Sequence, residues 1–125
     1  MYTVDDVADC LFDLTPPGEL TLLAAYVIDT TMQQVLGPDA DHHTARAYLH
    51  NAGLISGRKQ ETAEQDRLAH RKLIGRVWIS FFETDEQAQR ACSILCTLAF
   101  KVGHAAGIAM RPRLSLVNSN EPSAP

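Results

Sequence analysis

The chain has 125 residues, 46% of them hydrophobic and 21% charged, which suits one ordinary domain with a core that needs no disulfide staples. Its net charge of −4 and pI near 5.6 exclude a broadly basic nucleic-acid coat. The charge is segregated. Residues 1–57 hold eight Asp/Glu against one Arg, residues 58–76 hold six Lys/Arg against three Asp/Glu, and the remainder holds four of each.

Thr3 to Leu14 reads as a first helix. Thr3 and Asp6 have the spacing of a capping box, and Val4, Val7, Ala8 and Leu11 fall on one face. Asp5, Asp6 and Asp9 sit in the early turns, where the helix dipole favours negative charge. The run Thr15-Pro16-Pro17-Gly18 breaks the helix. Glu19 to Leu36 is a second helix, apolar on most faces and therefore expected at the centre of the fold. Gly37-Pro38 closes it.

Residues 41 to 52 form a third helix with Asp39 or Asp41 as its cap and Ala45, Tyr48, Leu49 and Ala52 inward. Gly53 suits the position after the helix. Leu54 to Lys59 suggests a short strand. Gln60 to Leu73 has helix-forming residues but a thin apolar stripe, which fits an exposed helix or an ordered excursion. Arg76 to Phe82, RVWISFF, is rich in β-branched and aromatic residues and predicts the clearest strand, with Val77, Ile79 and Phe81 on one face and Trp78, Ser80 and Phe82 on the other. Thr84 caps a long helix to about Val102, whose stripe of Ala88, Ala91, Leu95, Leu98 and Val102 is the expected dimerisation face. Residues 103–110 are a small-residue loop or a continuation of that helix. Arg113 to Val117 suggests a last strand, and residues 118–125 a disordered tail after a single globular domain of residues 1–117. The expected fold is α+β and mostly helical: a helical N-terminal half, a small antiparallel sheet and a long C-terminal helix.

The order helix, Gly53, apolar pair, basic stretch, strand resembles winged helix-turn-helix DNA-binding regulators, through Leu49, Gly53, Leu54 and Ile55. The resemblance implies a small transcriptional regulator with two wing strands, at 54–59 and 76–82. It places His43, Arg46 and His50 toward the major groove and Arg58, Lys59, Arg67, Arg71, Lys72 and Arg76 toward the phosphate backbone. The segment IGRVWISFFETDEQAQRACSIL also resembles the strand-then-helix half of ferredoxin-like modules, which include the RNA-recognition motif. That likeness implies base stacking if Trp78 and Phe82 are exposed.

An alternative expectation comes from charge alone. An acidic face at Asp5, Asp6 and Asp9 suits an inhibitor or adaptor that docks a basic protein partner and has no catalytic activity. His42, His43 and His50 with Cys92 and Cys96 have zinc-ligand chemistry, but nothing in the sequence brings the two helices together. Cys10, Cys92 and Cys96 lie in apolar helical patterns, as reduced buried thiols do. No catalytic motif, metal site or cofactor is expected. The N-terminus lacks the basic region of a secretory signal, and no apolar run reaches the roughly 18 to 20 residues that span a bilayer. The expected location is cytoplasmic, with no membrane association.

Overall fold

The computed structural model describes residues 2–15, 21–51 and 64–110, and it shows five helices. Helix α1 runs Val4–Asp13. Its capping box forms as expected: the Asp6 N–H donates to Thr3 Oγ1 at 3.3 Å, and the Thr3 N–H donates to Asp6 Oδ2 at 2.8 Å. Helix α2 runs Thr21–Leu36 and is ended by Gly37, whose φ of 104° is costly for any residue with a Cβ. Helix α3 runs His42–Asn51, with Asp41 accepting from the Thr44 N–H at 3.1 Å. Helix α4 runs Glu64–Ile79. Helix α5 runs Asp85–Ala105, capped by Thr84, which accepts from the Gln87 N–H at 3.1 Å.

At its far end α5 continues through Gly103 and stops in a paired C-terminal motif. The Gly107 N–H donates to His104 O at 3.0 Å and the Ile108 N–H to Gly103 O at 2.8 Å, with Gly107 at φ 79°. Residues 103–110 are thus both continuation and turn.

The principal pairings are α1 with α4, α4 with α3, α3 with α2, α2 with α5, and α5 with α1. They close a ring in which each helix leans mainly on two others. The apolar stripes point into that ring. Val7, Leu11, Leu14, Ile28, Leu49, Ile74, Trp78 and Leu95 are all fully buried there. Burying side chains of this size contributes about 1.5–3 kcal/mol each and is the main support of the fold.

The expected α+β fold is not what forms: among the described residues every element is a helix and there is no strand. Arg76 to Phe82 is the main correction. Arg76 to Ile79 is the last turn of α4, and Ser80 to Phe82 is the turn that leaves it. The Ser80 N–H donates to Arg76 O at 3.2 Å, and the Phe82 N–H to Ile79 O at 3.1 Å. The reason lies in the residues just upstream. Ile74, Val77, Trp78 and Phe81 stand at helical spacing, and the ring buries Ile74 and Trp78 completely while leaving Ile79 46% exposed. A strand would have put Ile79 on the same face as Val77 and Phe81. β-propensity is largely a packing preference, and the packing offered here is helical.

Of the two readings of residues 60–73, the helix is what forms from Glu64, with Ala69, Lys72 and Leu73 exposed on it, and it is the same helix that carries Trp78. The strands expected at Leu54 to Lys59 and Arg113 to Val117, the Gly53 cap and the tail at 118–125 lie outside the described residues.

Candidate docking groove between α2 and α3

Helix α3 sends Ala45 and Leu49 into the core, both almost fully buried. One side of it therefore carries His43, Arg46, Ala47 and His50 toward α2. There they meet Leu22 and Ala25 in an open groove of about 460 Å³, which Asn51 ends. Helix α2 uses Ala24, Val27, Ile28 and Met32 for the core. Its other apolar residues are left over. Leu22 is 85% exposed and Tyr26, one turn on, is 52% exposed.

Arg46 organises the polar side of the groove. Its Nε lies 3.1 Å from Asp29 Oδ1, out of line with the N–H, which makes an ion pair rather than a hydrogen bond. Its Nη2 lies 2.9 Å from His43 Nδ1. Since guanidinium only donates, His43 Nδ1 accepts, and its remaining ring proton sits on Nε2. At the start of the same helix Asp41 is held below the usual carboxylate range, first by the Thr44 hydroxyl, then by the Thr44 N–H and more weakly by the nearby His43 and His42.

The cations expected to face DNA are thus divided between seams. Arg46 is engaged across α2–α3. Arg71 crosses α1–α4 to Asp9, with Nη2 to Oδ2 at 2.8 Å. Lys72 and Arg76 are exposed on successive turns of α4, beside Val4, Asp5, Gly75 and Ile79. Arg58 and Lys59 lie outside the described residues; Arg67 is in α4.

The acidic face is divided too. Asp6 is 5% exposed and serves the capping box, and Asp9 serves Arg71, which leaves Asp5 exposed. The stacking surface implied by a ferredoxin-like half is absent, because Trp78 is fully buried and Phe82 stacks edge-on against it at 5.3 Å. Along α5, Ala88, Ala91 and Leu95 are buried within the chain against its own helices, while Leu98 and Val102 are half-buried. The half-buried Ile94 and Leu98 line an open groove of α5 beside Gln34 of α2.

The three thiols meet in the core between α1 and α5. Cys96 is hydrogen-bonded to Cys10, and that bond, followed by burial, pushes the Cys96 thiol far up. Burial pushes Cys92 up to about 11, against a pull from the Trp78 indole N–H. Thiols held this way are poor nucleophiles. Among the described residues no group of three or more His, Cys, Asp or Glu could hold a metal ion. Nor, among them, is any helix long and apolar enough to cross a membrane.

The individual exposure of Leu22 and Tyr26 is not legible in the sequence, because both belong to a helix that is apolar on most faces. The signal was present in the excess itself: α2 carries apolar residues around most of its circumference, more than two neighbouring helices can cover. No family model matches the chain, and no curated protein or solved structure is significantly similar to it.

Proposed function

We propose that the chain is a non-catalytic protein-interaction module that docks a partner peptide along the α2–α3 groove. The observation that carries this reading is Leu22, 85% exposed and lining the groove with Ala25 and Ala47, with Tyr26 exposed one turn further along α2. A large apolar side chain left 85% in water gains when a partner covers it. The groove's volume, about 460 Å³, lies within the range of ligand sites. Its polar groups stand at one side, as orienting groups do. The buried, raised thiols are poor nucleophiles, and Asp6 and Asp9 are engaged by the capping box and by Arg71.

The test is selection of a displayed random peptide library against the full chain. Enriched peptides are expected to lose binding to a Leu22→Ser, Tyr26→Ser variant whose circular dichroism is unchanged. Enrichment that survives those substitutions would remove the groove from consideration. Among the described residues, the exposed Lys72 and Arg76 offer a route to DNA. Binding to random duplexes that weakens steeply with salt, and is lost in a Lys72→Ala, Arg76→Ala variant, would replace the docking reading with a regulator that binds DNA through α4.

A further inference from the structure

We infer that the α2–α3 groove selects an acidic peptide, one that sets an apolar side chain on Leu22, Ala25 and Ala47 and a carboxylate against Arg46 and His43. This rests on the docking reading and adds the partner's chemistry to it. The charge on the groove wall is one-sided. Arg46 and His50 line it without an Asp or Glu among the described residues that line it, and Asn51 adds a neutral amide. The nearest carboxylate is Asp29, already engaged by Arg46 at 3.1 Å, with its side chain 27% exposed. At the start of α3 the Asp41 carboxylate is likewise occupied, by the Thr44 N–H and hydroxyl.

Arg46 is also preorganised. Asp29 holds its Nε and His43 holds its Nη2, so the guanidinium is fixed in place with Nη1 left to donate. A guanidinium pinned at two points spends less rotamer entropy on binding a carboxylate than a free one does. Because His43 Nδ1 is occupied by Arg46, its Nε2–H is a second donor on the same wall. A carboxylate that reaches both accepts charge-assisted hydrogen bonds. A lysine-rich peptide would instead meet the Arg46 guanidinium, with the nearby Asp29 and Asp41 already engaged, and juxtaposed like charges are costly in an interface.

The expected result is that peptides enriched from the random library carry Asp or Glu beside an aliphatic or aromatic residue. The tightest of them, synthesised and titrated into the full chain, should bind at least about tenfold more weakly to His50→Glu and Ala47→Glu variants, and to its own Glu→Lys analogue. Both substituted positions are exposed, so helical content should be unchanged. An enriched pool rich in Lys and Arg, or neutral in charge, would overturn the acidic-partner inference while leaving the docking reading intact, provided Leu22→Ser still abolishes binding. Equal affinity for the His50→Glu variant would also overturn it. Failure to enrich any peptide would sink both.

Discussion

Trp78 and the three cysteines show how strongly a side chain's chemistry depends on its enclosure. Cys92 would ionise near pH 9.0 if exposed, whereas in the fold it ionises near 11. The unfolded chain therefore gives up this proton first. The stability contributed by the protonated thiol is complete below about pH 9.0 and is lost as pH rises toward 11. Cys96 is raised further and acts in the same direction. Urea unfolding at pH 8 and again above pH 10, on the order of two pH units apart, should show a fall in stability that is smaller in Cys92→Ala. A fall of equal size in both proteins would mean that this thiol does not contribute. The sequence made all three cysteines legible as buried, since each sits in an apolar helical stripe. That Cys10 and Cys96 touch was not legible, because they are on helices at opposite ends of the chain.

Helix ends and helix interiors were not equally readable at the scale of the element. The capping boxes and glycine stops act within a few residues, so α1, α3 and α5 begin close to where their Thr and Asp caps predict, and α2 ends at its Gly. The interior of α4 is ambiguous in sequence. RVWISFF carries two periodicities at once, alternation from Val77 to Phe82 and helical spacing from Ile74 to Phe81. A local window cannot choose between them. Substitutions separate them cleanly. Trp78→Ala should cost about 3–5 kcal/mol, as expected for an aromatic side chain removed from a packed interior. Ile79→Asn should stay within about 0.5 kcal/mol, because the helix turns Ile79 outward. Comparable losses at the two positions, measured by chemical denaturation, would favour the strand. Close approach adds a second constraint on α4: a Cβ at Gly75 would stand 3.3 Å from Val4 Cγ2, so the α1–α4 seam needs a small residue there.

Over the whole molecule, closure of the ring decides which charges remain available. Asp9 and Arg71, separated by 62 residues in sequence, meet at 2.8 Å and tie the first helix to the fourth. Both side chains are largely shielded, at 18% and 30% exposure. A double-mutant cycle with Asp9→Asn and Arg71→Met should give a coupling of about 1 kcal/mol that shrinks in high salt. A coupling near zero would make the contact incidental to the ring. The same closure engages Arg71 and Asp9 with each other, and leaves Leu22 and Tyr26 largely exposed on α2. Local sequence determined where α1 and α5 start, where α2 stops, and which residues, the three cysteines included, are apolar enough for a core, because those properties depend on contacts within a turn or on composition. Only the tertiary structure decided that Arg76 to Ile79 is helix, that Arg46 and Arg71 are engaged in two different seams, and that an open groove lies between α2 and α3. Those outcomes depend on which distant stripe each residue meets, and no local spacing encodes that.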